Sequence, residues 1–282
     1  MLSPTTTLTL GALTLALALP PLALASDNAT SLPTLTFKNA FISSGIVPEV
    51  IAALDPSVSF YATYSTSTGH EELLLPGTSL TTSEASSPLD FLVEGLTNAT
   101  NITASTRYLI YLLDADAPAR DNPSARNLRH YLAGNYTVMP GVNSSVLPSA
   151  QRLVVQTGSF APFTPFTAPN PAPSSGVHRF IYALYKQPAN FSAAGFETAG
   201  MEPETGNWNL SRWRGQLGLG PAIGATFFTI DTAAAGQSTN STRGTTTVGA
   251  GPGGSGAAGL AVPAYMVGFT AISTLVGLVA FL

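Results

Sequence analysis

The chain has 282 residues, of which only 9% are charged, with a formal net charge of −4 and an isoelectric point near 5.3. Its 11 basic residues, nine of them arginine, are scattered rather than gathered into the basic patch of a nucleic-acid-binding surface, so that class is set aside. Cysteine is absent, which excludes disulfides, thiolate metal sites and a cysteine nucleophile.

The first segment, LTLGALTLALALPPLALAS, is an apolar run that ends in the small-x-small triplet Ala23-Leu24-Ala25, and residues 1–25 read as a signal peptide cut before Ser26. An N-terminal membrane anchor is the alternative, although the run is short against the roughly 20 residues of a span. Ser44–Ile51 (SGIVPEVI) suggests a short helix. Five apolar, β-branched stretches bounded by turn residues then predict strands: Val58–Tyr64, Arg107–Asp114, Arg129–Val138, His178–Gln187 and Ala225–Ile230. Within them LIYLL and FIYALY are apolar without alternation, as in central strands covered on both faces. A Pro-rich loop, Phe160–Gly176, precedes the fourth strand, and a loop of that length is usually functional or disordered. NLSRWRGQLGLG, with Asn209 as cap, a periodic Leu/Trp face and a glycine stop, predicts a second helix.

Residues 26–231 therefore read as one mostly β domain with helices at its margins. Residues 232–256 lack aromatics, are rich in Ser, Thr, Gly and Ala, and read as a flexible stalk. Residues 257–282 form an uncharged apolar tail with no basic cluster after it, the pattern of a glycolipid (GPI) anchor signal, with Gly254, Ser255 and Gly256 as candidate attachment residues. A spanning helix is the alternative reading of the tail. Asn-x-Ser/Thr sequons at Asn28, Asn98, Asn101, Asn143, Asn190, Asn209 and Asn240 fit a glycoprotein of the secretory pathway, displayed at the cell surface or wall. An eighth, at Asn135, falls inside a predicted strand and is set apart.

The chemistry-bearing residues gather at strand ends. Asp114 and Asp116 follow LIYLL, while His130 and His178 each open a strand beside an arginine. His70 sits in a polar stretch and reads as a solvated loop residue. Two acids and two histidines at one end of a sheet could be a metal site, an acid/base pair, or the wall of a pocket. No His-Glu-x-x-His or Gly-x-Ser-x-Gly motif favours the first two. A satisfied polar network that merely fixes strand ends is the plain structural alternative.

The series DADAPAR, RHYLAGNY and SSGVHRFIYALY resembles the phosphatidylethanolamine-binding protein family. Asp114, Asp116, Ala117, Pro118 and Arg120 match its first signature, with Ala115 at a position usually held by proline. His130 and Asn135 match the strand that carries the pocket histidine, and Gly176, His178 and Arg179 match the Gly-x-His-Arg signature, where Phe180 replaces a common tyrosine. The likeness runs from about Phe37 to Ile230. It implies a large antiparallel sheet packed on a smaller one, with short peripheral helices, and a small pocket for a phospholipid headgroup or other anion. It implies no enzyme activity, cofactor or metal. In that pocket Asp114 and Asp116 would orient the imidazoles, and Arg120 and Arg179 would add positive potential or brace the acids, with Phe180 alongside. Some members are inhibitors of serine carboxypeptidases, so a protein partner met through the surface is the other expectation, together with membrane attachment through the lipid anchor.

Overall fold

In the computed structural model, residues 30–88, 90–155, 162–188 and 206–233 are described. The signal peptide, the stalk beyond Ala233, the apolar tail, the sequons at Asn28, Asn190 and Asn240, and the candidates Gly254, Ser255 and Gly256 lie outside the described residues. Among the described residues the elements run α1 (Thr34–Ser43), α2 (Ile46–Glu49), β1 (Ser59–Ser65), β2 (Glu71–Leu73), β3 (Thr78–Ser79), β4 (Phe91–Glu94), β5 (Tyr108–Asp114), β6 (Leu128–Asn143), β7 (Gln151–Val155), β8 (Val177–Lys186), α3 (Leu210–Leu217) and β9 (Gly224–Asp231).

The mostly β architecture is as expected, and its layers arise from one sheet. The strand order is β2-β1-β4-β7-β6-β5-β8-β9-β3, antiparallel except for the β3–β9 pair. The sheet curls until β1 faces β8 and β9 across an apolar interior. Alternation along each strand supplies that interior: Tyr108, Ile110 and Leu112 of β5 and Phe180, Tyr182 and Leu184 of β8 point inward to Phe60 and Ala62 of β1. Their odd partners, Leu109, Tyr111 and Leu113 with Ile181, Ala183 and Tyr185, point outward and are covered by Phe41 of α1, Ile46 of α2 and Leu210 and Trp213 of α3. All seven β5 residues are buried, which explains the unbroken apolar run of LIYLL. The curl is tight at the start of β9. A Cβ on Gly224 would lie 2.7 Å from the Phe60 Cβ, and the Val58 and Ser57 amides donate to the Ile223 carbonyl at 3.0 and 2.9 Å.

The helices divide by their punctuation. α3 is capped as read: Asn209 Oδ1 accepts from the Arg212 amide at 2.9 Å, and Gly218 turns left-handed at φ 61° so that the Leu219 amide closes on Arg214 O. The Ser44–Ile51 helix shrinks to the four residues of α2 and is broken at Val47 (φ −102°, ψ 124°), because a residue before proline is pushed out of the helical region. α1 lies outside every predicted helix. It starts at Pro33 without a side-chain cap and is held instead by Phe37 and Phe41, one turn apart and fully buried. No helix among the described residues is long and apolar enough to cross a membrane.

Candidate functional site

The site begins with an irregularity in β6. Leu112 pairs with Tyr131 but Leu113 pairs with Arg129, so His130 is an extra residue, a bulge. The bulge turns His130 to the inner face, where its ring meets Phe180 edge-on at 5.5 Å, and leaves Arg129 on the outer face. His130 Nδ1 lies 2.9 Å from the Thr167 carbonyl, which can only accept, so Nδ1 carries the proton. Nε2 is buried and has no partner. Burial lowers the affinity of this imidazole for a second proton, against weaker support from the Thr167 carbonyl and the Asp114 charge.

Two strands away in sequence and adjacent in space, His178 stacks on the same Phe180 ring at 6.3 Å. Its Nδ1 donates to Asp114 Oδ2 at 2.8 Å, and its Nε2 meets Ser175 Oγ at 2.8 Å. Asp114 Oδ1 also accepts the Asp116 amide at 2.8 Å, which locks the turn after β5. Ala115 gives its amide to Arg179 O at 2.9 Å, a bond that a proline there has no N–H to make.

Asp114, His130, His178 and Phe180 are thus brought together. Asp116 is not part of the imidazole set. Its carboxylate is occupied by Arg179, with Oδ2 taking the backbone amide and Nε at 2.9 and 2.8 Å and Oδ1 taking Nη2 at 2.6 Å. The turn is the reason: the register sets Ala115 against Arg179, and Asp114, by holding the Asp116 amide, folds the chain there so that the second acid meets the arginine side chain. Arg179 is 1% exposed and spends Nη1 on Glu49 Oε2 and Ser44 O at 3.1 and 3.0 Å, so it is a brace. Burial works against its charge, but the Asp116 and Glu49 bonds outweigh it and hold the guanidinium above its ordinary value. Glu49 is held below the usual carboxylate range chiefly by Arg179, then Arg126. Arg120 is exposed, with Nη2 3.4 Å from Ser44 O, on the α1–α2 side near Gly45 and away from the imidazoles. Ser175, Thr167 and Glu49 escaped the sequence reading. Ser175, three residues before His178, was visible only as one serine among several.

Among the described residues no group of three or more His, Asp or Glu side chains is spaced to hold a metal ion. An open cleft of about 540 Å³ lies elsewhere, lined by Ser31, Thr34, Ser59 and Glu94 among others. Of the sequons, Asn101, Asn143 and Asn209 are exposed and Asn98 ends a 3₁₀ turn, whereas Asn135, half-buried at φ 60°, exchanges hydrogen bonds with Gln187.

The family described as phosphatidylethanolamine-binding protein matches residues 72–228, more than half of the chain. The 26 kDa secreted antigen of Toxocara canis is 29% identical over 149 residues, 53% of this chain and 46% of that protein. Protein BROTHER of FT and TFL 1 of Arabidopsis thaliana is 26% identical over 122 residues, 43% of this chain and 56% of that one. The chain thus spans about half the length of these two relatives. The fold is shared with a carboxypeptidase Y inhibitor solved in complex with its cognate proteinase, at 20% identity and a TM-score of 0.57, covering 71% of this chain and 96% of the inhibitor. With the matched stretch running from β2 into β9 and enclosing both signature strands, the chain belongs to the phosphatidylethanolamine-binding protein family.

Proposed function

We propose that this protein binds the phosphate of a phospholipid headgroup, or another small oxyanion, at the Asp114–His178–His130 site, and that it acts by binding rather than by catalysis. The observation that carries the reading is the buried, unpartnered Nε2 of His130 beside Phe180. With Nδ1–H given to Thr167, a neutral ring presents a lone pair at Nε2, which calls for a donor. A hydrogen-phosphate hydroxyl or the ammonium of an ethanolamine headgroup supplies one, and a proton on Nε2 turns the ring into a donor toward phosphate oxygen. Ser175, His178 and Asp114 have the order of a nucleophile relay, but the Ala172 carbonyl, 2.6 Å from Ser175 Oγ, competes for its single proton. The test is an NMR titration of the imidazoles with phosphate, phosphoethanolamine and lysophospholipid. Saturable shifts of His130 that disappear in Asp114→Asn support the reading, and unmoved imidazoles in a folded protein sink it.

A second reading rests on the inhibitor neighbour, 96% of whose length is spanned by the fold match. It makes a serine carboxypeptidase, or another protein, the partner of a surface away from the histidines. Unchanged carboxypeptidase Y turnover at a molar excess of this protein would remove it. We further infer a chain delivered through the secretory pathway, with residues 1–25 removed, a domain over 26–231, a stalk over 232–256, and a GPI anchor placed at Gly254, Ser255 or Gly256. A secreted relative and exposed sequons at Asn101, Asn143 and Asn209 support it. Release from cells by a phosphatidylinositol-specific phospholipase is the expected outcome, and retention after that treatment counts against the anchor.

A further inference from the structure

Arg129 and Arg179 are both sealed in the protein, 3% and 1% exposed, and they are treated in opposite ways. Arg179 has two carboxylates and a carbonyl for its guanidinium. Arg129 has none: among the described residues no carboxylate lies within ion-pair distance of it. Its Nε donates to Thr164 Oγ1 at 2.5 Å, its plane lies over Trp208 at 5.1 Å and Phe163 at 5.6 Å, and its Nη1 is buried without a partner. Burial lowers its pKa only to about 10, so it stays cationic at neutral pH. Taking a charge out of water costs more than a cation–π contact returns. As mere core filling, an apolar side chain would serve this position better.

The unpaired groups around it share one neighbour. Trp213, whose ring lies 4.8 Å from that of Trp208, has a buried indole N–H with no acceptor. Asn127 spends its amide N–H on the Trp208 carbonyl at 3.1 Å and leaves Oδ1 buried and unpaired. A permanent cation, a spare N–H donor and a spare acceptor therefore surround Trp208, on the sheet face opposite to the one His130 turns to. We propose that Arg129 anchors a second ligand site on the outer face of the sheet, bordered by Trp208 and Phe163, which takes a small oxyanion of the carboxylate or phosphate type. Either anion offers the oxygen that Nη1 lacks, since a guanidinium recognises both through charge-assisted hydrogen bonds. The proposal does not depend on the histidine site.

The chain's two tryptophans, Trp208 and Trp213, are both here, so their fluorescence reads this site, whereas imidazole resonances read the other. The full protein is titrated near neutral pH with sodium phosphate and with sodium acetate, using sodium chloride at matched ionic strength as reference. A saturable change in tryptophan emission with one or both oxyanions, absent with chloride, is expected. Phosphate alone marks a phosphate site, and acetate a carboxylate site. His130→Ala should keep the response, and Arg129→Met should weaken it at least about tenfold. Where Arg129→Met does not fold, Arg129→Lys, which keeps the charge but loses the planar stack, has to shift the midpoint in the same direction. A wild-type protein without a saturable, oxyanion-specific response, or a folded Arg129→Met or Arg129→Lys protein that responds like wild type, overturns the proposal.

Discussion

If the histidine site binds phosphate as proposed, His130 is the residue that couples binding to pH. Its folded affinity for protons is depressed, mainly by burial, below the ordinary 6.5. A depressed histidine stabilises the fold above its unfolded value and loses that contribution as pH falls through the folded one. The protein is therefore expected to lose stability as pH drops below about 6.5, and His130→Asn should flatten that part of the melting-temperature profile. Phosphate should offset the loss most at the acidic end, because it favours the protonated ring. A pH-independent phosphate effect would contradict the protonated-ring route. Asp116 makes the opposite kind of prediction. Asp116→Ala leaves Arg179 buried without the three hydrogen bonds that its backbone amide, Nε and Nη2 give to that carboxylate, and should cost about 3–5 kcal/mol in denaturant unfolding. An effect below about 1 kcal/mol would mean that the brace is dispensable. The sequence made Asp114, His130 and His178 legible because each is a rare polar residue abutting an apolar run. It could not separate Asp114 from Asp116, since the difference between holding an imidazole and holding an arginine is set by the turn that follows β5.

At the scale of elements, legibility followed composition. β1, β5, β6, β8 and β9 are long enough, and apolar enough, to be read directly. β2, β3, β4 and β7 have two to five residues each, and their pairing is dictated by neighbours that the local sequence does not reveal. α1 was missed because its cap is a proline and its apolar face is two phenylalanines. α3 was legible through Asn209, which also separates two roles experimentally. Asn209→Asp keeps an N-cap acceptor and removes the sequon, whereas Asn209→Ala removes both. Only the alanine variant should lose about 1 kcal/mol of stability, and both should lose the same glycan mass if the site is used. The β1–β9 closure is tested by Gly224→Ala. Its new methyl would overlap Phe60 and should cost about 1–3 kcal/mol by thermal or denaturant unfolding. A neutral outcome would mean that the strands separate freely at that end.

For the molecule as a whole, the short ends of the sheet order have a consequence for partners. The strands at the two ends of the order are β2, three residues, and β3, two residues. An exposed sheet edge is a template on which a foreign segment can add as an extra strand, and short edges are one way proteins blunt it. Among the described residues the end strands themselves offer a template only two or three residues long. Recognition that proceeds by main-chain strand addition, and self-association by the same route, have little to grip. At those edges, specificity for a partner is left to side chains and loops rather than to backbone hydrogen bonds.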